Sequence, residues 1–176
     1  SPLAEWKGRA NGILNKFTTH SMLNELAWLE QPPEITADLF SEGKDGWFDY
    51  QLATKAPAVC LERAIERRRY LTGDYFARLR QAEVVIITLG LVEAWWDGRS
   101  ARYLNTAPSL SAVRQEPGRY GFEVLGVDSN RGALEDIHAI LKRLNPASRI
   151  VVTVSPVPLT ATFTGRHQLA PVRLDE

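Results

Sequence analysis

A glycine and a carboxylate follow a short apolar run near the middle of the chain. The run extends from Val84 to Thr88, and Gly90 and Glu93 come shortly after it. A carboxylate can accept hydrogen bonds from a substrate hydroxyl or orient a catalytic group. A glycine N–H can stabilise an oxyanion, an interaction that contributes about 2.7–4 kcal/mol where it has been measured. The two residues therefore predict one side of a ligand site.

Both residues also have a structural interpretation. Glu93 would then form an ion pair with Arg99 or Arg102 and hold a hairpin together. Gly90 would form a tight strand exit, because glycine adopts backbone angles that a side chain forbids. From the residues alone, both interpretations stay open.

Other candidate residues surround this pair in the sequence. Trp95 and Trp96 could offer a stacking platform for a sugar ring, although tryptophans more commonly pack in a core or against a hairpin. Thr88 and Ser155 each end an apolar run and could line the same pocket. Ser155 lacks the glycines of a G-x-S-x-G nucleophile elbow. His167 lies in the tail and could reach a site to bind substrate, though no sequence feature places it there.

A strand, a helix and a second strand are expected to position these residues. Residues 84–88 are apolar or β-branched and predict a strand buried on both faces. An amphipathic helix follows, capped by Ser129 or Asn130. Residues 149–154 predict a second buried strand. Because a βαβ crossover makes its two strands parallel, Thr88 and Ser155 should meet at the carboxyl edge, where α/β sheets bind ligands.

The remaining segments predict helices, loops and one hairpin. They are a helix from Thr18 to Leu29, an ordered aromatic loop over 34–54, helices over 56–71 and 74–81, a hairpin of 94–96 with 101–104, a loop over 106–119 and a strand over 120–124. The basic run of residues 67–69 is expected on the solvated face of the second helix.

Composition excludes several classes of protein. The 176 residues predict a single α/β domain, 44% hydrophobic and 24% charged. Lys plus Arg and Asp plus Glu both number 21, which argues against nucleic acid as a partner. One cysteine, Cys60, and three scattered histidines show no metal-ligand spacing. No apolar run approaches the length of a membrane span, and no signal peptide is evident, so a cytoplasmic location is expected.

Two segments carry a resemblance to a known family. TLGLVEAWWDG at 88–98 and NPASRIVVTVSPVPLTATF at 145–163 resemble the GSCFA domain family of bacterial proteins, and NGILNKFTTHSMLNELAWL at 11–29 is similar to an earlier segment of that family. The resemblance implies a three-layer fold like flavodoxin and the SGNH hydrolases, with a parallel sheet flanked by helices. It also implies an ester-processing site at the carboxyl edge of the sheet and acyl esters on sugars as substrates.

The chain departs from the family in two respects that bear on chemistry: it lacks the Gly-Ser-Cys-Phe-Ala block, and it breaks off before the later segment in which related hydrolases carry an Asp and His pair. No Gly-Ser-Cys-Phe-Ala block is found, although related hydrolases place their nucleophile there, and Cys60 lacks the preceding Gly-Ser. We therefore interpret the chain as a truncated or discontinuous version of the domain. Since a missing strand would leave a sheet edge exposed, we expect self-association or a covering partner.

Two functions are consistent with these observations. The first is an SGNH-like esterase or acyltransferase domain acting on acylated carbohydrate, with coenzyme A or another acyl donor if it is a transferase. The second is a noncatalytic domain that holds a sugar, a coenzyme A-like carrier or a protein against the Trp95 and Trp96 edge.

Overall fold

The computed structural model describes residues 12–54, 56–156 and 162–164. These ranges contain four α-helices and seven strands: α1 (Thr19–Glu30), β1 (Ser41–Gly43), β2 (Gly46–Phe48), α2 (Leu61–Tyr70), β3 (Val84–Leu89), β4 (Glu93–Asp97), β5 (Arg102–Leu104), α3 (Leu110–Gln115), β6 (Tyr120–Val124), α4 (Val127–Leu144) and β7 (Arg149–Val154). The strands form a β1-β2 pair, a β3-β7 pair and a β5-β4-β6 sheet. Within the described ranges, no helix is long and apolar enough to cross a membrane.

The β3-α4-β7 unit has the predicted topology. Strands β3 and β7 are parallel and in register from Val84 with Arg149 to Leu89 with Val154. The chain is therefore confirmed as α/β, and the two strands end at one edge. Helices α1 and α4 cover one face of this pair, where Leu26, Ile87 and Ile137 belong to one buried cluster.

The prediction that β3 is buried on both faces is wrong, and so is the prediction that β7 is a buried strand. Ile86 is 67% exposed, Val152 52% and Val154 77%. Among the described residues, helices cover the face that carries Val85 and Ile87, while the opposite face is open. An uninterrupted apolar run thus identified the strands correctly but not their burial, since the run says nothing of what covers each face.

Strands β4 and β5 form the predicted hairpin, and β6 joins it. Trp96 lies opposite Tyr103 on β5 and opposite Gly121 on β6, both antiparallel. Asp97 closes the turn by accepting hydrogen bonds from the Arg99 N–H and the Ser100 hydroxyl. This three-stranded sheet presents aromatic side chains on both of its faces.

Several sequence-based boundaries are corrected. The predicted loop over 34–54 contains the β1-β2 hairpin, and that over 106–119 contains α3. The second helix starts at Leu61 rather than near residue 56, with Cys60 as its N-cap. The segment 71–81 is a π turn followed by a 3₁₀ helix. The N-cap of α4 is Gly126, and neither Ser129 nor Asn130 holds that position.

The sequence predicted a solvated basic run over 67–69, but Arg67 and Arg68 are buried and Arg69 alone of the three is exposed. Arg68 is 1% exposed and donates hydrogen bonds to both carboxylate oxygens of Glu25, at 2.9 and 2.8 Å, and to Oδ2 of Asp49. Lys16 adds a second cation at 2.5 Å from Glu25. Arg68 also lies over the ring of Trp28. This buried cluster joins α1, α2, the residue after β2 and the segment before α1, so we expect it to fix the scaffold behind the site.

Candidate functional site

The carboxyl ends of β3 and β7 bring Thr88 and Ser155 together, as predicted. The Thr88 hydroxyl is 2.9 Å from the Thr153 hydroxyl, and the Ser155 N–H donates to the Leu89 carbonyl at 2.7 Å. A cleft of about 800 Å³ runs beside them, lined by Thr88, Gly90 and Ser155. Four consecutive residues of β3, 85–88, line this cleft, so it lies along the edge of β3 that pairs with no strand among the described residues.

Gly90 lies where two backbone segments approach each other closely. A Cβ built at Gly90 would lie 3.2 Å from the Phe17 carbonyl oxygen, and the next N–H, that of Leu91, donates to this oxygen at 2.8 Å. A side chain at this position would push the two segments apart. Gly90 does not have a positive φ, so the close approach to Phe17, and not a forbidden backbone angle, favours glycine at this strand exit, while an oxyanion role stays a prediction.

Glu93 accepts hydrogen bonds from the segment that follows β7. Its carboxylate accepts from the Thr162 hydroxyl and, at 3.1 Å, from the Phe163 N–H. The predicted ion pair with Arg99 or Arg102 is wrong, because Arg99 pairs with Glu116 and Arg102 lies over the ring of Trp28. Glu93 thus fastens residues 162–164 to β4.

Trp95 and Trp96 lie on opposite faces of β4 and do not form a single platform. Trp95 is half-buried, and its ring centroid lies 5.3 Å from that of Phe122 and 5.5 Å from that of Phe163. It belongs to the same group as Glu93, since both hold residues 162–164. Trp95 is therefore a packing residue.

Trp96 is exposed on the other face, beside polar groups. It is 37% exposed, and its ring centroid lies 5.0 Å from that of Tyr103. Gly121, directly opposite, has no side chain to cover it, and a cleft of about 380 Å³ opens between Trp96, Tyr103 and Glu123. The Tyr103 hydroxyl donates to the Glu123 carboxylate. Burial and this hydrogen bond raise the pKa of Tyr103 to about 12, so its hydroxyl stays protonated near neutral pH.

A histidine and a serine meet next to this cleft. The ring of His20 packs edge-on against that of Tyr103, with centroids 4.4 Å apart, and Nε2 of His20 lies 3.1 Å from the Ser129 hydroxyl. The sequence predicted a site role for neither residue. His20 stands at the start of α1 and Ser129 in the first turn of α4, so no local spacing could have paired them.

His167 lies outside the described residues. Within residues 12–54, 56–156 and 162–164, no group of three His, Cys, Asp or Glu side chains is arranged to hold a metal ion. The described side chains at this end of the molecule thus offer hydroxyls, carboxylates, an imidazole and aromatic rings. These groups are suited to binding hydroxylated ligands and to proton transfer.

The chain was compared with known proteins. A family model described as GSCFA family matches residues 4–170, nearly the whole chain. No curated protein and no solved structure matches. The match concerns the family alone, so the activity has to be inferred from the site.

Proposed function

Because the chain belongs to the GSCFA family, we propose that it is an SGNH-like esterase or acyltransferase domain that acts on acylated carbohydrate. A transferase would use coenzyme A or another acyl donor. A cytoplasmic location, and self-association or a covering partner at the exposed strand edges, stay predictions.

The Trp96 cleft is the observation that carries the carbohydrate part of the proposal. An exposed indole offers an apolar face to the C–H groups of a sugar ring, while a carboxylate and a phenol at its edge can bond to sugar hydroxyls. Trp96, Glu123 and Tyr103 stand in this arrangement around one open cleft. Gly121 keeps the indole face accessible.

A second candidate is the noncatalytic binding domain. The hydrogen bonding of Glu93 favours the noncatalytic candidate, because this carboxylate already accepts two hydrogen bonds from residues 162–164. The Thr88 and Thr153 hydroxyls likewise form a hydrogen bond with each other at the carboxyl edge of the sheet. Under this candidate, the Trp96 cleft would hold a sugar without processing it.

Trp96→Leu is expected to weaken binding of an O-acetylated cello-oligosaccharide about tenfold, because an aromatic contact contributes up to about 1.5 kcal/mol. Gly121→Leu should weaken it as well, since the new side chain would enter the cleft, and a Cβ at Gly121 lies an acceptable 3.9 Å from Trp96. Isothermal titration calorimetry measures the dissociation constants.

Trp95→Leu is the matched control for this titration, since Trp95 is the neighbouring residue on the opposite face of β4. Trp95→Leu should leave the affinity for the oligosaccharide unchanged, even if it lowers the midpoint temperature of unfolding. Equal affinities for wild type, Trp96→Leu and Gly121→Leu would place sugar binding elsewhere, and no binding at all would remove the carbohydrate proposal.

A further inference from the structure

A second cleft, of about 620 Å³, lies between the β3–β4 connection and the first half of α4, and we call it the apolar cleft. Its apolar lining residues are Leu89, Leu91, Val92, Leu125, Val127 and Leu134. Val127 is 82% exposed and Val92 43%, although exposed apolar side chains are normally scattered singly over a protein surface. Apolar groups gathered around a concave surface of this volume are typical of a ligand pocket.

The polar lining of the apolar cleft favours an uncharged ligand. Its members are Thr19, Asn130, Arg131, Glu135 and His138. The Thr19 hydroxyl donates to the Asn130 amide oxygen at 2.8 Å, and Arg131 pairs with Asp128. The arginine is thus already neutralised by a carboxylate, and Glu135 adds a negative charge. This lining suits the acyl group of an ester better than an anionic fatty acid.

The apolar cleft and the Trp96 cleft lie along one face of the β4-β6 sheet. Because side chains alternate along a strand, Trp96 and Val92 are on the same face of β4. Gly121 lies opposite Trp96, and the pairing continues to Val92, whose carbonyl accepts from the Leu125 N–H at 2.7 Å. Val92 and Trp96 are roughly 14 Å apart along the strand. A ligand with a sugar ring against Trp96 could therefore extend a chain along this face into the apolar cleft.

The apolar cleft also opens at the carboxyl edge of β3. Gly90 lines both this cleft and the larger cleft beside Thr88 and Ser155. Sheets of α/β proteins bind ligands at this edge, where the resemblance to the family implies an ester-processing site. An ester bound there would have the apolar cleft next to its acyl group.

We propose that the apolar cleft binds the acyl chain of the ester substrate, an inference that rests on the proposed function. The ligand class is a sugar that carries an uncharged acyl chain longer than acetyl, with its ring against Trp96 and its chain between Val92 and Val127. Each further methylene removed from water strengthens binding about two- to fourfold until the cleft is filled. An acetyl ester needs only the sugar part, so the cleft sets a preference for longer chains.

A series of methyl, hexyl and octyl β-glucosides tests chain binding without an ester that can be cleaved. Titration of the ¹⁵N-labelled protein below the critical micelle concentration, followed by NMR, gives the dissociation constants and the amides that shift. We expect the affinity to rise about two- to fourfold per added methylene. The amide signals of Gly90 and Leu125 should shift with the octyl compound and not with the methyl compound. Equal affinities across the series would overturn the proposal.

Val127→Asp places a carboxylate at the rim of the apolar cleft. It should weaken binding of octyl β-glucoside about tenfold and leave binding of methyl β-glucoside unchanged, because only the chain reaches this residue. Val127 is the first residue of α4, where a carboxylate is favourable for the helix, so we expect the fold to be kept. Leu110→Asp is the matched control, since Leu110 is the first residue of α3, is 75% exposed and lies outside this cleft.

Ile86→Asp distinguishes the apolar cleft from the open face of β3, where Ile86 is 67% exposed. A dependence on chain length that is lost in Ile86→Asp and kept in Val127→Asp would overturn the proposal. Trp96→Leu should weaken binding of every member of the series by a similar factor. If Val127→Asp removes the chain dependence while Trp96→Leu has no effect, the proposed function alone is contradicted. If Trp96→Leu weakens every member but chain length has no effect, the acyl cleft alone is contradicted.

Discussion

Arg68→Ala is expected to lower the free energy of unfolding by about 3–5 kcal/mol at pH 7, a large share of the stability of a domain of this size. The substitution removes a guanidinium that is 1% exposed and bonds to two carboxylates, those of Glu25 and Asp49. Glu25 is 2% exposed, so the loss leaves a buried negative charge with Lys16 as its remaining cation. Urea unfolding followed by circular dichroism measures the difference.

Arg131→Ala is the control for this measurement. Arg131 also pairs with a carboxylate on its own helix, that of Asp128, but its side chain is 65% exposed. Its loss should cost at most about 1 kcal/mol. Equal effects of the two substitutions would show that the Arg68 cluster does not hold the scaffold.

The effect of Arg68→Ala should also depend on pH. Burial by itself would raise the pKa of Glu25, but Arg68 and Lys16 outweigh it and lower that pKa below its ordinary value of 4.5. For a carboxylate with a lowered folded pKa, the stabilisation is complete above the unfolded pKa and is lost as the pH falls through the folded one. The difference in unfolding free energy between wild type and Arg68→Ala should therefore become smaller below about pH 4.5.

Arg119→Ala is expected to lower the free energy of unfolding by about 3 kcal/mol, the second largest effect among these substitutions. Arg119 donates two hydrogen bonds of 2.8 Å to the carboxylate of Asp97, and both side chains are at most 5% exposed. Asp97 retains the Arg99 N–H and the Ser100 hydroxyl as donors, which limits the loss. Thermal and urea unfolding measure the change.

The same substitution should weaken sugar binding. Asp97 directly follows Trp96 in β4, and the guanidinium of Arg119 lies 4.9 Å from the ring centroid of Tyr120, next to Gly121. Loss of the pair therefore loosens both strands that frame the cleft. Arg99→Ala is the control, because Arg99 pairs with Glu116 while 46% exposed and should cost less than about 1 kcal/mol. Similar losses of stability in Arg119→Ala and Arg99→Ala would contradict the role assigned to the buried pair of Arg119 and Asp97.

The parallel unit could be predicted from local patterns. Apolar runs at 84–88 and 149–154, with an amphipathic helix between them, are sufficient for a βαβ crossover. The Asp97-Gly98 turn likewise predicted the hairpin. These features depend on neighbouring residues, which a single sequence displays directly.

Features that depend on distant residues could not be predicted. Arg68 looked solvated within its basic run, because Glu25 and Asp49, which neutralise it, lie 43 and 19 residues away. Glu93 had two nearby arginines as apparent partners, yet its donors come from Thr162 and Phe163. In each case the sequence identified the charge and the fold determined its partner.

The site was predicted in part for the same reason. Thr88 and Ser155 meet at the carboxyl edge because the βαβ topology requires it. The two tryptophans lie on opposite faces because consecutive residues of a strand alternate, so only Trp96 faces the open cleft. His20 and Ser129 are 109 residues apart and become neighbours only when α1 packs beside α4.

Release of acetate from an O-acetylated cello-oligosaccharide, followed by proton NMR, tests the proposed activity most directly. We expect the wild type to release acetate above the buffer rate and Trp96→Leu to be slower at low substrate concentration. Trp95→Leu, on the opposite face of β4, should match the wild type. A wild type that binds the oligosaccharide yet releases no acetate, with water or with an added sugar acceptor, would contradict an esterase or acyltransferase and leave the noncatalytic binding domain.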